Sequence, residues 1–73
     1  MLKSDEIAKP DSCWNKARED ENVFVLLERD IVCPATIRYW CAMRLSAGKN
    51  NPGDAQITEA LNLAHRIEQA HPQ

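Results

Sequence analysis

One stretch of this sequence, Ile31–Ala47, constrains the fold most strongly, because apolar residues occupy most of its positions. Its only charged residues are Arg38 and Arg44. Asp30 is a good N-cap just before it, Pro34 falls in the first turn, where a proline costs no hydrogen bond, and Gly48 suits the left-handed position that ends a helix. We therefore predict a helix over residues 31–47. A helix that is apolar on most sides belongs to the centre of a core or to an interface.

A second helix is predicted over Asn51–Ala70, with Asn51 as its cap, Pro52 at the first helical position and Asp54 at the third. Its apolar residues recur every three or four positions, which places them on one face. That stripe consists of Ile57, Leu61, Ala64 and Ile67, with Ala60 beside it. Because the connection after Gly48 is short, the two helices should form an antiparallel hairpin.

The N-terminal part carries weaker signals. Residues 1–11 are polar and are predicted to be a flexible arm, so residues 12–73 form the single domain. Ser12, or alternatively Asp11, can cap a short helix over Cys13–Glu19. Trp14 and Ala17 would share one face of that helix and pack it across the hairpin. The predicted fold class is all-α: a small helical domain with a C-terminal antiparallel hairpin and a short N-terminal helix.

The run Val23–Leu27 is β-branched and aromatic, which favours extended structure, but it is too short for periodicity to distinguish a strand from a helical turn. The sequence offers no second run of this kind to pair with it. We therefore expect a buried extended segment or a short helical turn. Pairing with a second copy of the chain would allow a strand.

Size and charge exclude several classes of protein. A chain of 73 residues buries only about 60% of its unfolded surface, so little material is left to cover the helix over 31–47 on every side. The net charge of −2 argues against binding nucleic acid by bulk charge. No apolar stretch approaches the ~20 residues of a membrane span. The N-terminal residues lack the apolar core of a secretory signal, so we expect a cytoplasmic protein with no membrane association.

Chemistry-bearing residues form no recognisable catalytic or metal-binding pattern. The possible metal ligands are Cys13, Cys33, Cys41, His65 and His71, and none has the close spacing of a structural zinc site. Cys33 lies near a helix N-terminus, where a thiolate is stabilised, but no base is placed beside it. We expect Cys33 and Cys41 to be buried apolar fillers and Cys13 to be the most accessible thiol. The sequence predicts no enzyme and no cofactor.

Two surfaces could bind a partner. Tyr39 and Trp40 point about 100° apart on a helix, so we expect one to be buried and the other to lie at an edge or in an interface. The acidic cluster of Asp20, Glu21, Glu28 and Asp30 is either a solvated linker ending in an N-cap or a face for a basic partner. The predicted protein-binding residues are Tyr39, Met43, Glu21 and Glu28.

DNA binding through the last helix, residues 52–70, is the alternative, since two helices joined by a short glycine-containing turn invite comparison with a helix-turn-helix. The basic set for that function is Arg38, Arg44, Lys49 and Arg66. Glu59 and Glu68 lie on this last helix and would weaken its binding to DNA, so nucleic acid is the less favoured partner.

Four strings carry a resemblance to known sequences: residues 12–17 (SCWNKA), 24–30 (FVLLERD), 34–40 (PATIRYW) and 48–57 (GKNNPGDAQI). They resemble small uncharacterised proteins of phages, prophages and other bacterial mobile elements, over about residues 12–65. The resemblance carries no known activity and transfers no functional residue. It implies an accessory protein that binds something in a bacterial host. The expected function is therefore a non-enzymatic protein-binding module, in the form of a homodimer, that occludes a host or phage protein.

Overall fold

The computed structural model describes residues 2–70 and is helical wherever these residues have regular secondary structure. The helices are α1 (Lys3–Ala8), α2 (Cys13–Lys16), α3 (Cys33–Ser46) and α4 (Ala55–Ala70). No strand occurs within residues 2–70. Helix α3 packs on α4, and Arg38 near the start of α3 pairs with Glu68 near the end of α4, so the two helices run antiparallel. The all-α class and the C-terminal hairpin are confirmed.

Helix α3 begins at Cys33, two residues later than predicted, because Asp30 closes a turn before the helix. The Val32 N–H donates to Asp30 Oδ1 at 3.1 Å, and the Cys33 N–H donates to the Asp30 carbonyl at 2.9 Å. These bonds hold Asp30 outside the helix, and Val32 takes the N-cap position without a side-chain cap. Pro34 lies in the first turn, as predicted.

Helix α3 ends before a left-handed Gly48, as the sequence predicts. Gly48 has a φ of 71°, the left-handed conformation that glycine adopts without steric cost. Its N–H donates to the Leu45 carbonyl at 3.1 Å, and the Lys49 N–H donates to the Arg44 carbonyl at 3.0 Å. This pair of bonds satisfies two carbonyls that the end of a helix otherwise leaves without partners.

Helix α4 begins at Ala55, so the prediction of Asn51 as its cap and Pro52 as its first residue is wrong. Residues 51–54 form a turn instead: the Asp54 N–H donates to the Asn51 carbonyl at 3.0 Å, and the Asn51 N–H donates to Asp54 Oδ2 at 2.9 Å. Proline followed by glycine favours such a turn over helix. Asp54 then starts the helical ladder by accepting the Thr58 N–H at 3.0 Å.

The core lies between α3 and α4. Cys41, Ile57 and Ala60 form its centre. The partly buried side chains packed on this cluster are Ile37, Leu45 and Leu61. Ala64 and Ile67 extend the buried face of α4, which confirms the predicted stripe.

The first two helices form a unit of their own. Helix α1 occupies part of the predicted flexible arm, and α2 ends three residues before the predicted Glu19. Ser12 is the cap of α2, since its hydroxyl accepts the Asn15 N–H at 3.2 Å. Helix–helix contacts between the described elements join α1 to α2 and α3 to α4. Trp14 is 54% exposed, so the expectation that it packs across the hairpin is not met.

Asn15 holds α1 in place. Its side-chain amide donates to the carbonyls of Glu6 at 3.0 Å, Ile7 at 2.8 Å and Lys9 at 2.7 Å. The Ser12 hydroxyl also donates to the Glu6 carbonyl. Carbonyls at the end of a short helix have no intrahelical donors. The Asn15 side chain of α2 therefore supplies the hydrogen-bond donors that the end of α1 lacks.

The segment Val23–Leu27 has no regular secondary structure, and the expectation that it is buried is wrong. Phe24 is 86% exposed, and of the five residues only Leu26 is partly buried. The buried side of the hairpin is already occupied by the contact between α3 and α4. The chain therefore offers this segment neither a partner strand nor a place in the core.

Replacing Gly48 with alanine should destabilise the hairpin by about 1 to 2 kcal/mol, because a Cβ is strained at this positive φ. Urea unfolding followed by far-UV circular dichroism measures the change. Gly53→Ala is the matched control: an added Cβ meets nothing within 4 Å at either glycine, and only Gly48 has a positive φ. Equal losses from the two variants would contradict this explanation of Gly48.

Candidate protein-binding surface

Helix α3 has a second apolar face, directed away from α4. With about 100° of rotation per residue, Thr36, Tyr39 and Met43 of α3 fall within one narrow stripe, and Val32, the N-cap residue just before the helix, continues it. We call these four residues the exposed α3 face. Tyr39 is 69% exposed and Met43 is 51% exposed. The core residues of the same helix, such as Cys41, lie on its opposite side, so α3 is apolar toward both α4 and water.

Neither member of the Tyr39–Trp40 pair is buried, contrary to the sequence expectation. Trp40 is the less exposed of the two, at 39%. The Arg44 guanidinium carbon lies 5.8 Å from the centroid of the Trp40 ring, within the range of a cation–π contact. Trp40 therefore lies at the border between the core and the exposed α3 face, and Tyr39 lies fully on that face.

A second exposed apolar surface precedes α3 in the sequence. The residues 23–27, here called the apolar loop, expose Val23, Phe24, Val25 and Leu27 by about half or more of their surface. Single exposed apolar residues are ordinary, but a run of them is not. The sequence placed this segment in the core, so its exposure was missed. The absence of a second β-type run was the signal that it lacks a partner within the chain.

The two glutamates predicted to bind a partner are both exposed. Glu21 accepts the Arg18 N–H at 3.0 Å and forms a weak ion pair with the Arg18 side chain at 3.9 Å. Among the described residues, no hydrogen bond or ion pair links Glu21 or Glu28 to Tyr39 or Met43. Tyr39 and Met43 thus lie together on one face of α3, whereas the two glutamates lie in the segment that connects α2 to α3.

Two of the four basic residues proposed for DNA binding are engaged within the hairpin. Arg38 donates to both carboxylate oxygens of Glu68, from Nε at 3.1 Å and from an Nη at 2.6 Å. Arg44 donates from Nε to the side-chain oxygen of Asn50 at 2.6 Å. Lys49 and Arg66 are exposed. Of the four basic residues, two are therefore engaged in contacts within the hairpin and two are exposed to solvent.

The cysteines differ in exposure as predicted. Cys13 is exposed, Cys33 and Cys41 are buried, and all three thiols are unpaired. Burial raises the pKa of the Cys33 thiol, and the nearby carboxylates of Asp30 and Glu28 raise it further. Burial also raises the pKa of Cys41. The position of Cys33 near a helix N-terminus therefore does not activate it.

No cluster of three or more His, Cys, Asp or Glu side chains suited to a metal ion forms within residues 2–70. His71, one of the residues considered from the sequence, lies outside the described residues. Within the same range, no helix is long and apolar enough to cross a membrane.

Comparison with models of protein families, with curated proteins and with solved structures found no match to this chain. No family assignment and no functional residue therefore comes from a relative.

Only Cys13 should react rapidly with a thiol reagent in the native protein, because the other two thiols are buried and their pKa values are raised. Titration with a chromogenic disulfide reagent should release one equivalent quickly, and all three after unfolding in denaturant. Cys13→Ser should remove the fast phase alone. Fast reaction of two thiols in the wild-type protein would contradict the burial of Cys33 and Cys41.

The Arg38–Glu68 pair predicts a loss of stability in acid. Hydrogen bonding from Arg38 holds the pKa of the Glu68 carboxyl below its ordinary value of 4.5. A pKa lowered by folding stabilises the native state above the unfolded-state pKa, and the contribution disappears as the pH falls through the folded-state pKa. Thermal midpoints should therefore fall more steeply below about pH 5 for the wild type than for Glu68→Gln.

The effect should be small, because both side chains are partly exposed and water screens the pair. Glu59→Gln, on an exposed position of the same helix, is the control and should keep the wild-type slope. Identical pH profiles for Glu68→Gln and the wild type would show that the pair does not stabilise the fold.

Proposed function

We propose that this chain is a non-enzymatic protein-binding module that acts through the exposed α3 face. The observation that carries the proposal is the position of Tyr39 and Met43 on one stripe of α3 that faces water, while the opposite side of the same helix forms the core. Tyrosine and methionine are enriched at protein interfaces. Contiguous apolar patches on a small protein are typical of binding sites.

The apolar loop offers a second exposed apolar surface for a partner. Phe24 is the most exposed large apolar side chain of the described residues. Its loop lacks regular secondary structure, and the last carbonyl of the loop, that of Leu27, already accepts the Asp30 N–H at 3.0 Å. A partner strand that paired with the rest of the loop would gain main-chain hydrogen bonds together with side-chain contacts.

Charge supports a protein partner that is basic around its contact site. Glu21 and Glu28 flank the apolar loop and are exposed. Acidic groups at the rim of an interface steer a basic partner and contribute more to association rate than to affinity. We propose that the module is an accessory protein of phage or mobile-element type, that it works in the cytoplasm, and that it inhibits a bacterial or phage protein by occluding its surface. The resemblance of the four sequence strings supports this class of target.

DNA binding is less well supported. A helix that reads DNA needs unengaged basic residues along one side. The contacts of Arg38 with Glu68 and of Arg44 with Asn50 tie these side chains to the hairpin. The net charge of −2 adds no general attraction for phosphate.

Site-specific photo-crosslinking tests the proposed function. With Tyr39 replaced by p-benzoylphenylalanine, irradiation of producing bacteria should give a discrete adduct with one other protein. The same photoreactive residue at Gln69, exposed on α4, is the control and should give no such adduct. Met43→Lys in the Tyr39-labelled protein should reduce the adduct at least tenfold, since a charge would be buried in the contact.

Equal labelling from positions 39 and 69 would contradict a specific role for the exposed α3 face. Retention of the wild-type protein on duplex DNA at low salt, lost when Lys49 and Arg66 are replaced by glutamine, would instead support the DNA-binding alternative.

A further inference from the structure

The segment that connects α2 to α3 contains a stretch of unpaired backbone. Turns close both ends of this segment: the Glu21 N–H donates to the Arg18 carbonyl at 3.0 Å, and the Asp30 N–H donates to the Leu27 carbonyl at 3.0 Å. Between these turns, residues 22–26 form no hydrogen bond or ion pair with any other residue in the described range 2–70. Their backbone N–H and C=O groups are therefore not engaged within that part of the chain.

Phe24 lies in the middle of this unpaired stretch, with its side chain 86% exposed. Val23 and Val25 on either side of it are also more than half exposed. A protease cleaves a folded protein most readily where the backbone is exposed and is not held in secondary structure. The pocket that receives the residue before the cleaved bond, called S1, sets specificity, and in chymotrypsin it is a hydrophobic slot. The backbone and the side chain at Phe24 meet both requirements.

We propose that the peptide bond between Phe24 and Val25 is a cleavage site for an endopeptidase with an apolar S1 pocket. Hydrolysis consumes one water molecule, whose oxygen bonds to the Phe24 carbonyl carbon while the C–N bond to Val25 breaks. The nitrogen takes up both protons of the water, so the products are a carboxylate at Phe24 and an ammonium group at Val25. This site is separate from the exposed α3 face, and its cleavage does not depend on what binds there.

Exposure alone does not select this bond, because other aromatic side chains are also exposed. Tyr39 is 69% exposed, Trp14 is 54% exposed and Trp40 is 39% exposed. Each of these three residues lies in a helix, whose backbone hydrogen bonds must open before a protease can bind the chain. Leu26 belongs to the unpaired stretch, but its side chain is partly buried. Within residues 2–70, Phe24 is therefore the aromatic residue that combines an exposed ring with an unpaired backbone.

Cleavage at this bond divides the chain between its two helical units. Contacts between the described helices join α1 to α2 and α3 to α4. The core cluster of Cys41, Ile57 and Ala60 lies entirely on the C-terminal side of the bond. The hydrogen bonds from the Asn15 side chain to the end of α1 lie entirely on the N-terminal side. We therefore expect the fragment 25–73 to keep the hairpin and the fragment 1–24 to separate from it.

Limited digestion of the full chain with chymotrypsin under native conditions, followed by mass spectrometry, tests the proposal. The first products should be the fragments 1–24 and 25–73, formed at least tenfold faster than any product of cleavage after Tyr39. The two fragments should elute separately in gel filtration. A first cut after Trp14, Tyr39 or Leu26 would overturn the assignment of Phe24, and fragments that elute together would overturn the separation of the two units.

Three variants test whether Phe24 itself directs the cleavage. Phe24→Asp should slow hydrolysis of this bond at least tenfold, because a carboxylate is not accommodated in an apolar pocket. Asn22→Asp introduces the same charge at a nearby exposed position and should leave the rate unchanged. Phe24→Lys should be cleaved after position 24 by a lysine-specific endopeptidase, because the backbone stays accessible.

Circular dichroism of each intact variant checks that the helices are kept, as expected for changes at exposed positions. Equal rates for Phe24→Asp and the wild type would overturn the proposal, and so would resistance of Phe24→Lys to the lysine-specific enzyme. Equal slowing by Asn22→Asp and Phe24→Asp would show that the added charge, rather than loss of the Phe24 ring, reduces cleavage, and would overturn the assignment as well.

Discussion

The packing of α3 on α4 is the contact on which the rest of this structure depends. Cys41, Ile57 and Ala60 form its centre, and no other pair of described helices shares a cluster of buried apolar residues. Two local features bring the helices together. The left-handed Gly48 ends α3 sharply, and the turn closed by Asn51 and Asp54 starts α4 a few residues later. The fold thus rests on one thin layer of small and branched side chains.

This layer uses only one side of α3. The N-terminal unit does not cover the other side: contacts between the described helices join α1 to α2 and α3 to α4. The apolar loop does not cover it either, since Phe24 faces water. Tyr39, Met43 and Phe24 therefore stay exposed, because the chain has more apolar side chains than its own elements cover.

Features encoded within a few residues were predictable from the sequence, and features that depend on distant residues were not. The Ser12 cap, the end of α3 at Gly48 and the buried stripe of α4 follow from local preferences, and all three are observed. Helices α3 and α4 begin later than the sequence predicts, because the side chains of Asp30 and Asp54 form hydrogen bonds in the turns before them. Helix α1 was missed because its end is completed by Asn15.

The same distinction applies to the candidate site. The exposure of Tyr39 and Met43 followed from the excess of apolar residues on α3. The engagement of Arg38 did not, because Glu68 lies 30 residues away along the chain. The exposure of the apolar loop could not be predicted from its own residues either, since its burial depends on whether another element of the fold packs against it.

A thin core also links folding to binding. Any molecule that binds the native α3 face and not the unfolded chain shifts the folding equilibrium by mass action, by about 2.7 kcal/mol at a ligand concentration one hundred times its dissociation constant. Small domains have only a few kcal/mol of net stability, so such a contribution is comparable to their own. A partner at the proposed binding face would therefore add to the stability of the fold by an amount comparable to the fold's own. A substitution at Tyr39 or Met43 that leaves the isolated hairpin intact can still reduce the amount of folded protein wherever a partner normally covers that face.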